Sequence, residues 1–134
     1  MVRVINSSAM PRLPIKKAKE TIANVFTGEN IAEYDVDVIY VDSEFMADLN
    51  MQYLNHEGDT DVITFPLGED DLVEGEIYIC PQVAAEQADD YRVPLKEELL
   101  RLVAHGALHL AGYDDDTDEK RRIMHILETK YMAL

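Results

Sequence analysis

The chain has 134 residues, with 27 acidic against 12 basic side chains and a formal net charge of −15. Hydrophobic residues at 47% and charged residues at 29% match globular usage and exclude a disordered chain, while no apolar run approaches the roughly 18 residues of a membrane span and the opening Met-Val-Arg-Val-Ile-Asn lacks a signal peptide's layout. The single cysteine, Cys80, rules out an internal disulfide and reads as a small buried apolar residue in a reducing compartment, so one cytoplasmic domain over residues 1–134 is expected.

Val2 to Asn6 alternates apolar and polar residues and predicts a first strand. Pro14 suits a first helical turn, and Ile15, Ala18, Ile22, Val25 and Phe26 give a helical stripe that Gly28 ends. Asp35 to Val41 is rich in β-branched residues and predicts a second strand. Its strand-helix-strand order favours a right-handed parallel crossover. Asp42 or Ser43 can cap the next helix, whose Phe45, Met46, Leu49 and Tyr53 are expected to face the core and which ends near Asn55. Val62 to Phe65 and Gly75 to Cys80 are the third and fourth strands. The short acidic loop Gly68 to Glu74 between them favours an antiparallel hairpin. A helix follows from Pro81 to about Tyr91, Pro94 opens another, and Asp118 to Met132 closes the chain with Ile123, Ile126, Leu127 and Tyr131 on its core face. His125 on that helix reads as structural or surface. The expected fold is α+β: a four-stranded mixed sheet with one antiparallel strand, packed with about five helices.

The helix through Leu110 carries the chemistry. Leu99, Leu100, Val103, Ala107 and Leu110 give it an apolar face, and His105 and His109 stand four residues apart. Side chains so placed share a face with Cβ atoms about 5–6 Å apart, so two imidazoles can converge on one ion. A lone pair of this spacing often binds nothing, one histidine being core and the other exposed. Gly112 stops the helix, and the returning Asp114, Asp115 and Asp116 offer a third, oxygen ligand near a helix end that already favours a cation. Gly106 occupies the place where zinc proteases of the His-Glu-x-x-His type carry their glutamate base, so that class is disfavoured and any base must come from elsewhere in the fold.

The stretch His105, Gly106, Leu108, His109, Leu110, Gly112, Tyr113, Asp114 resembles the signature His-Gly-x-Leu-His-Leu-x-Gly-Tyr-Asp-His of the YbeY family of bacterial metal-dependent endoribonucleases, associated with ribosomal RNA maturation. The family's third histidine falls on Asp115, itself a legitimate zinc ligand. Asn50, Tyr53, Thr60, Asp61, Val62, Phe65 and Pro66 resemble a second family block, and Gly75 to Cys80 a third. The arginine that follows the tyrosine in the family falls on Leu54 here. His56, two residues on, is the nearest group able to take part of its electrostatic role, and reads equally well as an exposed loop histidine.

The resemblance implies one metal centre at the end of the central helix, ligated by His105, His109 and Asp115. Zn²⁺ is the expected ion because His₂Asp with an open fourth position is a catalytic layout, with other divalent ions as alternatives. It further implies a single-strand-specific endoribonuclease acting in ribosomal RNA maturation and small-subunit assembly, with ribosomal RNA or the small subunit as partner and DNA not expected. The charge of −15 argues for weak binding of free RNA. Local basic clusters at Arg92, Lys96 and Arg101 and at Lys120 to Arg122 flank the site in sequence, and a protein delivery partner could supply further affinity. Two other classes stay open: a metal-dependent hydrolase of another substrate, and a ribosome-assembly factor whose metal is structural.

Overall fold

A computed structural model describes residues 1–69 and 72–133. Its elements run β1 (Val2–Asn6), α1 (Lys16–Gly28), β2 (Tyr34–Tyr40), α2 (Ser43–Leu54), β3 (Val62–Pro66), β4 (Val73–Ile79), α3 (Pro81–Tyr91), α4 (Leu95–Leu110) and α5 (Asp118–Tyr131). The fold is α+β, with five helices around a mixed sheet of order β1-β2-β4-β3. β1 and β4 both run parallel to β2, and β3 alone is antiparallel, paired to β4 through the expected hairpin. Asp70 and Asp71 of the acidic loop lie outside the described residues. Among the described residues no helix is long and apolar enough to cross a membrane.

The pleat sorts the strands' side chains. Val36, Val38 and Tyr40 of β2 and Ile77 and Ile79 of β4 are fully buried under α1 and α4. Phe26, Ile22, Leu99, Leu100, Val103 and Leu108 close the same core from the helices. α2 covers part of the other sheet face through a smaller cluster of Val41, Met46, Ile63 and Cys80.

Three expected core faces are shifted. On α2 Met46 is buried as expected and Asn50 with it, while Phe45 and Tyr53 stay half-exposed at the margin, their rings against Tyr78 and Phe65 of the sheet at 6.1 and 5.2 Å. The Asn50 carboxamide donates to the Gly58 carbonyl at 3.0 Å and so closes the loop after α2. On α5, Ile123 and Ile126 are exposed while Met124, Glu128 and Tyr131 face inward. Ile15 precedes α1 and is exposed. For α2 the sheet, and for α5 the core shared with α4, select which stripe is covered. A helix carrying apolar residues on two adjacent lines does not reveal that choice.

α4 reaches the sheet closely because Gly106 has no side chain: a Cβ there would lie 2.7 Å from Ile77 Cγ2. The helix ends at Leu110, and Gly112, at φ +107°, turns the chain back. Val25, Ile22 and Phe26 of α1 and Met124 and Tyr131 of α5 pack in the same core as α4, which makes α4 the central helix.

Candidate metal centre

His105 and His109 project from one face of α4, and the Gly112 turn brings Asp115 over them. His105 Nε2 lies 3.0 Å from His109 Nε2, and Asp115 Oδ2 lies 3.3 and 3.5 Å from the two nitrogens. A triangle with these sides has its centre about 1.9 Å from each corner, and the edge of a tetrahedron with zinc bonds of 2.0–2.1 Å is about 3.3–3.4 Å. The three atoms therefore stand as three corners of a divalent-metal tetrahedron, and the residues fit the ion.

The far side of each ring fixes this aim. His109 Nδ1 donates to the Tyr113 carbonyl at 2.9 Å, so its Nε2 carries a lone pair. His105 Nδ1 meets Glu128 Oε2 at 2.7 Å, the carboxylate-histidine arrangement that orients metal ligands. Burial works against charge on His105, but the hydrogen bond and charge of Glu128, helped by Asp115, outweigh it and raise the ring's pKa above its ordinary value. Glu128 also accepts from Arg101 Nη1 at 3.2 Å. Tyr113 is held in turn: its hydroxyl and that of Tyr131 donate to the two oxygens of Glu29, at 2.6 and 2.5 Å. The turn that carries Asp115 is thus tied to α1 and α5.

The three ligand candidates open onto a cleft of about 980 Å³ between α4, β3 and the end of α3. Its lining includes six carboxylates, Asp61, Glu97, Glu98, Asp114, Asp115 and Glu128, and among the described residues one guanidinium, Arg101. Asp61 is pinned at the start of β3, accepting from the Val62 amide at 2.7 Å and from Gln87 Nε2 at 3.2 Å. Glu98 is buried, and that burial, only partly opposed by Arg101, raises its carboxyl pKa.

Leu54 lines the cleft with its side chain half exposed. His56 lies in the exposed turn after α2, outside the cleft lining, with its amide donating to the Asn50 carbonyl at 3.2 Å. Of the two basic clusters only Arg101 enters the lining. Lys120 pairs with Asp116 at 3.1 Å, and Arg121 with Asp118.

Sequence reasoning missed Glu128 and Glu98. Both had a signal, an acidic residue in phase with buried neighbours on its own helix: Glu98 beside Leu99 and Leu102, Glu128 four residues from Met124. A carboxylate is almost never fully buried unless it is paired.

Fold and site together define an α+β domain with a candidate mononuclear metal centre of two histidines and a carboxylate in an open cleft. Comparison with known proteins gives the particular family. The family model for "Endoribonuclease YbeY" matches residues 5–134, so the chain belongs to the YbeY family. A relative from Flavobacterium psychrophilum bearing that name is 38% identical over 84% of this chain and 81% of its own. One from Thermotoga petrophila is 38% identical over 98% of this chain and 87% of its own. A solution structure from Thermotoga maritima superposes with a TM-score of 0.73 at 37% identity, covering 98% of this chain and 87% of that one.

Proposed function

We propose that His105, His109 and Asp115 hold one Zn²⁺ ion and that the chain is an endoribonuclease cutting single-stranded RNA in the cytoplasm, during ribosomal RNA maturation and small-subunit assembly. The observation that carries the reading is the convergence of three ligand atoms at 3.0, 3.3 and 3.5 Å, with both imidazoles turned by partners on their Nδ1 side. Family membership and relatives named endoribonucleases supply the reaction class. When bound, the ion would supply Lewis-acid charge to a phosphodiester oxygen and acidify a water. The chain's own part is to hold the ligands, through Glu128 for His105 and through Tyr113 and Glu29 for His109. His56 has no part in this reading. The carboxylate-rich lining means that RNA must be drawn in by the ion, by Arg101 and by a ribosomal or protein partner.

The test is metal analysis of the purified protein, followed by digestion of single-stranded and duplex RNA by wild type, by chelator-treated protein and by His109→Ala. Cutting of the single strand alone, lost with chelator and with the substitution, is expected. Cutting that survives both would overturn the assignment. The same acidic lining favours a second reading, a hydrolase of small phosphoesters, which a parallel screen of such substrates separates.

A further inference from the structure

α4 presents Glu97, Arg101, His105 and His109 to the cleft at four-residue steps, each about 6 Å along the axis. The ligand pair occupies the C-terminal end of this row. Arg101 sits one step from His105, and the two side chains meet the two oxygens of one carboxylate, Glu128, at 3.2 and 2.7 Å. Arg101 is the only lysine or arginine among the described lining residues, in a cleft otherwise rich in carboxylates.

Its guanidinium is held by residues of α5, of which His125 and Glu128 line the same cleft. Nη1 donates to Glu128 Oε1 at 3.2 Å and approaches His125 Nδ1 at 3.4 Å, and Nη2 donates to Thr129 Oγ1 at 3.2 Å. A guanidinium has five N–H donors. These partners use three of them, which leaves Nε–H and one Nη2 hydrogen for an incoming acceptor. In the lining of the same cleft, at the last residue of α3, Tyr91 is 66% exposed. A fixed guanidinium and an exposed tyrosine lining one cleft offer the two elements by which unpaired nucleotides are held without sequence preference, a phosphate contact and a stacking face.

We infer that Arg101 and Tyr91 form a nucleotide subsite next to the metal centre, the guanidinium binding the phosphate adjacent to the one at the ion and the Tyr91 ring stacking on the neighbouring unpaired base. The inference rests on the ribonuclease reading above. It sets the direction of the bound strand, along α4 from the ligands toward the α3 end, and it gives single strands an advantage because a paired base cannot reach the ring.

The experiment measures binding of a short 2′-O-methylated single-stranded RNA, with and without abasic residues, to zinc-loaded wild type, Arg101→Gln, Arg101→Lys, Tyr91→Ala and Tyr91→Phe across a salt series. Metal affinity is titrated for each. Arg101→Gln should flatten the salt dependence by about one phosphate contact and Arg101→Lys should keep it, with metal affinity as in wild type. Tyr91→Ala should weaken binding roughly 10-fold and Tyr91→Phe should not. Abasic strands should bind wild type less tightly but Tyr91→Ala no less tightly than the intact strand does. Should Arg101→Gln fail to fold with Glu128 left uncompensated, the Tyr91 variants and the abasic strands still read the subsite, and an abasic penalty unchanged in Tyr91→Ala overturns it. A wild type that cuts RNA, with salt slope and abasic penalty unchanged in the variants, overturns the subsite alone. A zinc-loaded wild type that neither binds nor cuts RNA overturns the ribonuclease reading and the subsite with it.

Discussion

Gly106 lies inside α4, where glycine costs about 1 kcal/mol relative to alanine, so Gly106→Ala would strengthen an isolated helix. In the fold the sign reverses. An added Cβ would stand 2.7, 2.9 and 3.0 Å from Ile77 Cγ2, Cδ1 and Cγ1. Ordinary contact begins at 3.4 Å, so α4 and β4 must part by about 0.7 Å, and Ile77 is fully buried, with no solvent to turn into. Overpacking costs about 1–3 kcal/mol. Against the gain in helix propensity, the net loss reaches ~2 kcal/mol, or up to about 8 °C in melting temperature. The same displacement carries His105 and His109 away from Asp115, which stands beyond the helix end, and so weakens metal binding as well as stability. Urea unfolding and metal titration of wild type, Gly106→Ala, Ile77→Ala and the double variant check this. Ile77→Ala removes all three clashing atoms, and in that background the glycine substitution should become neutral or stabilising. A Gly106→Ala protein that is more stable than wild type and binds metal equally well would refute the packing argument.

Burial raises the Glu98 pKa above its ordinary 4.5, against the pull of Arg101, so its contribution to stability is fully present below pH 4.5 and is lost as pH rises through the folded value. Glu98→Gln should therefore melt higher than wild type at neutral pH and equally below 4.5, and identical melting curves at neutral pH would contradict this. Hydrogen bonds from Tyr113 and Tyr131 hold the Glu29 carboxyl below 4.5, while those bonds and burial push the Tyr131 hydroxyl up to about 12. The cluster stabilises above the first ordinary value and loses its effect as pH falls through the lowered one; on the alkaline side the effect is whole below 10.0 and lost as pH rises through about 12. Glu29→Ala should cost about 1–3 kcal/mol between those limits, shrinking outside them, and a flat pH profile of the difference would count against it. On the proposed zinc site, Asp115→His changes the net charge from about +1 to +2, so the pH of half-maximal RNA cleavage should fall while metal binding persists. An unchanged or higher midpoint in a metal-loaded variant would reject the charge argument.

The sequence by itself determined what short-range pattern can carry. Strand alternation at Val2 to Asn6, the β-branched run before Val41, Pro81 and Pro94 opening helices and Gly112 ending one all act within a few residues of themselves, and their elements stand where the pattern put them. The same holds for the His105–His109 pair, whose spacing is a property of one helix, and for Asp115, delivered by the turn directly after it. The tertiary structure alone decided what depends on contact between distant segments. Ile123 and Ile126 are exposed because α5 turns Met124, Glu128 and Tyr131 inward, and Phe45 and Tyr53 stay half-exposed because they meet the sheet at its margin, against Tyr78 and Phe65. Glu128 orients His105 from 23 residues away, and Glu29 holds the Tyr113 turn from 84 away. His56 stays outside the cleft while Arg101 enters it, since entry depends on how α4 packs between β3 and α5. A carboxylate's burial and its partner are set by that packing, which no local period encodes.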